Sequence, residues 1–182
     1  MHIIISKEAL LRPLTLVSGA IERKHTLPIL SNVLIETSLD EVKLTGTDME
    51  VELIAATQPD NVIQAGAITV PAKKLFDICR SLPDGSEIEF KVDGHSAIVK
   101  AGKSRFSLST LPASDYPNLE EWDSADVIEL TRHTIRALIE STHFSMANQD
   151  VRYYLNGMSF ELEPNIMRTV ATDGHRLALA QQ

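Results

Sequence analysis

Residues 149–179 read Q-D-V-R-Y-Y-L-N-G-M-S-F-E-L-E-P-N-I-M-R-T-V-A-T-D-G-H-R-L-A-L. Met158, Phe160 and Leu162 recur at every second position, which predicts a strand with one apolar face. Pro164-Asn165 is a turn signal, and a second strand follows through Val170. Asp173-Gly174 predicts a tight hairpin turn, because a primed turn needs positive φ and glycine supplies it at no steric cost. Leu177 and Leu179 resume the alternation beyond it. Polar residues crowd the rims: Gln149, Arg152, Tyr153 and Tyr154 before the first strand, His175 and Arg176 after the turn. A basic residue beside two tyrosines suits phosphate contact with base or sugar packing. A half-buried sheet with ordinary amphipathic edges accounts for the same residues, and this stretch alone favours the plainer reading.

Just upstream, Ile128 to Leu130 predicts a short strand, Thr131 a helix N-cap, and Ile135, Leu138, Ile139 and Thr142 the apolar face of a helix. The same order opens the chain. Ile3 to Ile5 predicts a strand, Ser6 an N-cap, and Leu10, Leu14 and Val17 a helical stripe. Pro13 offends that helix, since it lacks a donor, and predicts a kink. Gly19 fits the helix end, and Glu8 and Arg12 have the spacing of an exposed ion pair. Antiparallel strands are predicted at 29–37, 42–45 and 51–56, with turn signals at Asp40 and near Gly46.

A further strand is predicted at 68–70. Pro71 then reads as the first residue of a second helix, with Leu75, Phe76, Ile78, Cys79 and Leu82 on its apolar face. Pro83-Asp84-Gly85 stops it, and strands at 87–92, 97–100 and 105–110 complete the pattern. The first 110 residues thus use one pattern twice: strand, helix, three strands. Residues 111–126, with Pro112, Pro117 and several acids, read as an interdomain linker, giving domains 1–122 and 123–182.

The restart keeps a constant register of 125 residues: Ser6 falls on Thr131, Lys7 on Arg132, Leu10 on Ile135, Leu14 on Ile139, Leu30 on Leu155, Glu36 on Glu161, and Thr47-Asp48 on Thr172-Asp173. One offset held through helix, turn and strands reads as an internal repeat. The second copy is then incomplete, stopping after one helix and its strands.

Composition narrows the function. The net charge is −8, with 12 basic and 17 acidic residues through Trp122 and 5 against 8 from Asp123 on. Proteins that bind nucleic acid by bulk attraction are usually basic, so any such contact here is local or held by geometry. Cys79 is the only cysteine, which excludes an intramolecular disulfide and a cysteine zinc site. The N-terminus lacks a signal-peptide pattern and no segment is long and apolar enough to span a bilayer, so the expected location is cytoplasmic. Lys73 and Lys74 stand in the first turn of the second helix, at the positive end of its dipole, where either an anion or solvent must offset them. Lys73 with Arg80, and Arg132 with Arg136, share helix faces, so the positive charge is segregated.

No sequence signature of an enzyme is present. Asp150, Asp173 and His175 are the residues from which a metal-dependent nuclease would be built, but Asp-x-His is a weak signal and a turn aspartate is commonly structural. Cys79 sits among apolar neighbours and reads as packed inside. No metal or cofactor is expected. In 105–109, Phe106 and Leu108 alternate with Arg105, Ser107 and Ser109; core packing and an edge meeting another subunit both fit.

Several blocks resemble the bacterial replicative sliding clamp family, the beta subunit of DNA polymerase III. These are T-L-P-I-L at 26–30, L-T-G-T-D at 44–48, S-R-F-S-L-S-T-L-P at 104–112, F-S-M-A at 144–147, 149–157 and 169–177. The resemblance implies an α+β clamp fold of repeated strand-helix-strand units, with antiparallel sheets outside and helices on the DNA side. It implies a non-enzymatic processivity factor that closes head-to-tail as a homodimer around double-stranded DNA. Its expected partners are the replicative polymerase, the clamp loader and repair proteins. A ring held by topology needs only soft phosphate contacts, which fits an acidic chain with segregated cations. Position by position, the resemblance places Lys24, Lys73, Gln149, Tyr153 and Tyr154 at DNA. It places Leu155, Thr172, Gly174, His175, Arg176 and Leu177 on one wall of a hydrophobic pocket for partner peptides. Lys74, Lys103, Arg105, Phe106 and Leu108 fall at the subunit interface, as an edge. Family chains are about twice as long, so this one corresponds to an N-terminal part; a peptide-binding adaptor that does not encircle DNA is the alternative.

Overall fold

The computed structural model describes residues 1–21, 27–117 and 128–182. It divides into two compact units, residues 1–121 and 122–182. In the first, the order is β1 (His2–Ser6), α1 (Lys7–Val17), β2 (Asn32–Thr37), β3 (Val42–Thr47), β4 (Glu52–Thr57), β5 (Asn61–Gln64), β6 (Gly66–Pro71), α2 (Ala72–Ser81), β7 (Glu87–Asp93), β8 (Ser96–Ala101) and β9 (Ser104–Ser109). The second holds α3 (Arg132–Thr142), β10 (Ser159–Glu163), β11 (Ile166–Thr172) and β12 (Leu177–Gln181).

The strand-helix-three-strand pattern occurs twice in the first unit, with β5 as an addition that the sequence reading did not anticipate. The sheets exchange strands. One has the order β4-β3-β2-β6 and the other β5-β1-β7-β8-β9, all neighbours antiparallel. Each half therefore lends its opening strand to the other half's sheet, β1 to β7 and β6 to β2. Neither half closes a sheet alone. Both sheets and both helices meet in one core, including Ile5, Leu10, Leu14, Ile35, Leu44, Val70, Leu75, Ile88 and Phe90. Cys79 lies in that core, and burial pushes its thiol up to about 12.

Local chemistry sets the ends of these elements. Ser6 caps α1, its hydroxyl accepting from the Ala9 amide at 3.4 Å, and Thr131 caps α3 by accepting from Thr134 at 3.1 Å. α1 is continuous through Pro13, which is buried. Glu8 does not pair with Arg12 as its spacing predicts; its carboxylate accepts from the Gly85 amide at 2.8 Å, tying α1 to the turn after α2. Lys7 makes the same tie, donating to the Leu82 carbonyl at 2.6 Å and to Asp84 at 2.7 Å.

Other expectations are corrected by tertiary contacts. Pro71 ends β6 and caps α2 rather than starting it. The predicted strand at 29–37 begins with a 3-10 turn, Pro28–Ser31, and extends only from Asn32. Gly46 is not at a turn but inside β3, where a Cβ would lie 2.6 Å from the Val17 carbonyl oxygen. Its bareness lets α1 approach the sheet. The first part of the predicted linker packs against the first unit: Thr69 and Leu111 form a bridge, and the Tyr116 hydroxyl donates to the Asn32 and Thr45 carbonyls at 3.3 and 3.1 Å. The remainder of the linker, 118–126, and the proposed boundary at 122/123 lie outside the described residues.

The second unit follows the first at an offset of 125. It places α1 on α3, the 3-10 turns Ser18–Ala20 and Pro28–Ser31 on His143–Ser145 and Tyr153–Asn156, and the end of β3 on the end of β11. Two departures share one cause. Ile128 to Leu130, the counterpart of residues 3–5, forms no strand. In the first unit those residues are held by β5 and β7, and the described second unit has no counterpart of either. Likewise, β2 is flanked by β3 and β6 whereas, among the described residues, β10 pairs with β11 alone. Phe160 is consequently 45% exposed where its counterpart Ile35 is buried.

Candidate peptide and nucleic-acid surfaces

The β11–β12 hairpin differs from the tight turn expected of Asp-Gly. Thr172 pairs with Leu177, leaving a four-residue loop, Asp173 to Arg176. Aspartate makes that loop rigid. Its Oδ1 accepts from the amides of His175 and Arg176 at 2.9 and 3.0 Å, and its Oδ2 accepts from Arg176 Nε at 2.9 Å. These donors hold the Asp173 carboxyl down to about 2, the backbone amides of Arg176 and His175 contributing most. The Thr172 hydroxyl accepts from the Gly174 amide and donates to the Arg176 carbonyl. Gly174 adopts φ +88°, a conformation open to glycine and costly for other residues.

A second Asp–Arg pair adjoins it. Asp150 accepts from Arg152 Nε at 3.0 Å and from Nη2 at 2.8 Å, and the Arg152 side chain and amide together draw its carboxyl down to about 2. Asn156 braces the loop from inside, accepting from the Asp150 amide and donating to its carbonyl. Arg152 Nη1 comes within 3.4 Å of where a Cβ on Gly174 would stand. Arg176 lies 6.0 Å over the Phe144 ring, a cation–π contact. Leu155 is buried, while Leu177 stands 63% exposed at the start of β12. The structure thus gathers Gly174, Arg176, Arg152 and Phe144 at one hairpin, with Thr172 and Leu177 closing its base. Arg152 and Phe144 were not among the expected pocket residues. The Asp-x-Arg spacing at 150–152 signals the ion pair with Asp150 but not the approach to Gly174.

Gln149, Tyr153 and Tyr154 sit beside this hairpin's neighbour loop. Gln149 is exposed with φ +58°, and the tyrosine rings, 83% and 66% exposed, meet edge to face at 6.0 Å between centroids. Two exposed aromatic rings next to a loop held by an arginine are able to stack on a base or pack on a sugar. In the first unit, Lys73 lies in the first turn of α2 and pairs with Asp77 at 2.7 Å. With Phe76, Arg80 and Ile21 it lines a groove of about 420 Å³ in which Arg80 sits 5.7 Å over the Phe76 ring. Arg136 on α3 similarly pairs with Glu140. The helix-borne cations Lys73 and Arg136 are thus each neutralised by a carboxylate one turn on. Lys24 lies outside the described residues.

β9 is an open edge of its sheet, with Lys103, in the turn before it, and Arg105 exposed. Phe106 packs partly against the core, and Leu108 is 3% exposed within it. The side chains of Phe106 and Leu108 share the face of β9 that packs on the first unit's core. Lys74 is exposed on α2. Asp150 and Asp173 are committed to their arginines and backbone amides. Among the described residues no three His, Cys, Asp or Glu side chains gather in a metal-holding group, and no helix is long and apolar enough to cross a membrane.

Residues 1–120 match the family model described as DNA polymerase III beta subunit, N-terminal domain, and residues 129–182 match that of its central domain. The chain is 55% identical over 179 residues to the beta sliding clamp of Pseudomonas putida, covering 98% of this chain and 49% of that protein. To the Escherichia coli K12 beta sliding clamp it is 52% identical, again over 98% of this chain and 49% of that one. The crystal structure of the DNA polymerase III subunit beta from Pseudomonas aeruginosa superposes with a TM-score of 0.94 at 50% identity, covering all of this chain and 50% of that chain. A P. aeruginosa sliding clamp bound to griselimycin gives 0.96 at 50% identity, with all of this chain and 49% of that chain covered. The chain spans about half the length of the curated relatives it matches.

Proposed function

Because the chain belongs to the DNA polymerase III beta subunit family, the beta sliding clamps, we propose that it is a non-enzymatic part of a replication processivity factor. Its residues 1–122 form the first clamp domain and 123–182 the first half of the second. In the whole ring, a head-to-tail homodimer in the cytoplasm, the helices face double-stranded DNA and the sheets face out. Gln149, Tyr153, Tyr154, Lys73 and Lys24 contact DNA softly. Pairing of Lys73 with Asp77 supports this, since a cation already offset by a carboxylate binds phosphate weakly and lets the duplex slide. Lys74 on α2, with Lys103, Arg105, Phe106 and Leu108 along the β9 edge, forms this chain's side of the interface between subunits.

The observation that carries the partner-binding reading is the hairpin of Thr172 to Leu177. Its loop is fixed by Thr172 and Asp173, Gly174 presents bare backbone, and Leu177 stands exposed at the start of β12. A short peptide from a polymerase, clamp loader or repair protein places its apolar anchors on the leucines, with His175 and Arg176 at the rim. Leu177→Ala is expected to weaken a partner peptide by about 1 kcal/mol or more in fluorescence polarisation, while leaving the melting temperature unchanged; unaltered affinity removes the pocket. Preferential retention on circular over linear DNA supports encirclement. Equal retention on both, with peptide binding intact, favours an adaptor that does not surround DNA.

A further inference from the structure

Asn156-Gly157 is the only Asn-Gly pair in the sequence. Such a pair carries both reagents of one reaction: an electrophilic side-chain amide and, next along the chain, a backbone nitrogen that no side chain crowds. Asn156 ends the 3-10 turn Tyr153–Asn156, and both residues of the pair are exposed. Gly157 is extended, at φ −116° and ψ 176°, and a Cβ there would meet nothing closer than the Tyr154 carbonyl oxygen at 4.0 Å. Its amide donates to no acceptor among the described residues. Two of the three Asp-Gly pairs, which are open to the related ring closure, are better protected. The Thr172 hydroxyl takes the Gly174 amide at 3.1 Å, and the Glu8 carboxylate takes the Gly85 amide at 2.8 Å. Asp173 and Asp84 are also held ionised by their donors, and a carboxylate resists attack by nitrogen where a neutral amide does not. Gly157 has neither protection.

The restraint that the fold does supply acts on the electrophile. Asn156 Oδ1 accepts from the Asp150 amide at 2.9 Å, and its Nδ2 donates to the Asp150 carbonyl at 3.0 Å. While both bonds stand, the side chain is committed to a residue six positions upstream and not to its own C-terminal neighbour. Ring closure therefore waits on local opening of the 150–156 loop. We propose that Asn156 is a modification site at which the protein deamidates itself, held in check by this brace. In the opened loop the Gly157 nitrogen gives up its proton and bonds to Asn156 Cγ. The Cγ–Nδ2 bond breaks, and the nitrogen leaves with a proton as ammonia, so that a succinimide ring remains. Water then adds to either ring carbonyl and breaks that carbon's bond to the Gly157 nitrogen. Opening at Cγ gives aspartate. Opening at the main-chain carbonyl gives isoaspartate, with the chain now running through Cβ. Nothing is oxidised or reduced. Neither product restores the brace, because a carboxylate accepts hydrogen bonds but has none to donate to the Asp150 carbonyl. Conversion also adds a negative charge to the loop that carries Tyr153 and Tyr154.

Peptide mapping by mass spectrometry tests it, on the whole chain held for days at mildly alkaline pH, both folded and in urea. Asn156 is expected to convert to both products faster than any other asparagine of the folded chain. In urea, where the brace is gone, it is expected to convert about fivefold faster or more, the worth of an ordinary hydrogen bond. Gly157→Ala has room for its methyl group and is expected to slow conversion severalfold, since the added carbon crowds the attacking nitrogen. Asn156→Asp copies one product. Its amides at Asp150, Arg152 and Leu155, each hydrogen-bonded within the intact loop, are expected to exchange hydrogen faster than those of the unconverted chain. Conversion at Asn156 no faster than at other asparagines, equal rates folded and in urea, or an unchanged rate in Gly157→Ala overturns the proposal. Unchanged exchange in Asn156→Asp removes the release of the loop.

Discussion

Thr47 and Thr172 stand 125 positions apart and do the same work: each hydroxyl accepts from the amide two residues on and donates to the carbonyl four residues on. A hydroxyl that both gives and receives fixes both ends of a four-residue loop, which neither alanine nor valine achieves. Thr172→Val is therefore expected to loosen the Gly174 loop and to weaken peptide binding by about 1 kcal/mol, the worth of an ordinary hydrogen bond. Thr172→Ser retains both bonds and is expected to retain affinity. Fluorescence polarisation with one peptide across the three proteins checks it; affinity lost in Thr172→Ser but kept in Thr172→Val means the methyl group, not the hydroxyl, matters.

Asp150 and Asp173 make a pH prediction. Both carboxyls are held at about 2, below the ordinary value of 3.8, by donors that need the ionised form. A depressed folded value contributes stability above the ordinary value and loses it as the pH falls toward the folded one. The loops at 150–156 and 173–176 are thus expected to keep their hydrogen bonds to about pH 4 and to release them as the pH drops toward about 2. NMR of the carboxyl carbons and of the Arg176 amide reads this directly. Midpoints near 4 for both carboxyls contradict it.

Gly46 sits in β3 with the Val17 carbonyl oxygen 2.6 Å from where a Cβ would stand. Since that atom is backbone, relief requires α1 to move. Gly46→Ala is expected to destabilise the first unit by about 2 kcal/mol or more, as overpacking does in a filled core. Gly94→Ala is the comparison, because nothing lies within 4 Å there and only its φ of +57° opposes the change. Denaturant unfolding of both variants is the measurement, and equal losses refute the packing argument.

Ser145 is buried and its hydroxyl has no partner among the described residues. Its counterpart at the 125-residue offset is Ala20, likewise buried, and the neighbouring Thr142 and Thr169 stand where the first unit has Val17 and Leu44. Those threonines bond to the Leu138 carbonyl, whereas Ser145 forfeits its hydration for nothing. Ser145→Ala is expected to raise the stability of the second unit by about 1 kcal/mol. Lowered stability on calorimetry means the hydroxyl is satisfied in solution.

Much of the architecture was legible before any coordinates, because it depends on neighbours in sequence. Ser6 and Thr131 announce their helices through side chains that cap amides three residues on, and the alternation in β7 to β9 follows from one buried face. The constant offset was legible for the same reason, since a repeated unit needs the same local chemistry at each turn. What tertiary structure alone decided involves partners far away in the chain. Ile3 to Ile5 become a strand and Ile128 to Leu130 do not, because a strand exists only where another pairs with it. Gly46 reads as a turn until α1 is seen lying on it. Leu108 alternates on an edge strand, and alternation cannot say which side of that strand the first unit's own core covers. Arg152 joins the Gly174 hairpin across 22 residues of chain through a contact that no spacing foretells. Short-range hydrogen bonding and periodicity are written in the order of residues; which surfaces meet is fixed only when the sheets exchange strands and close.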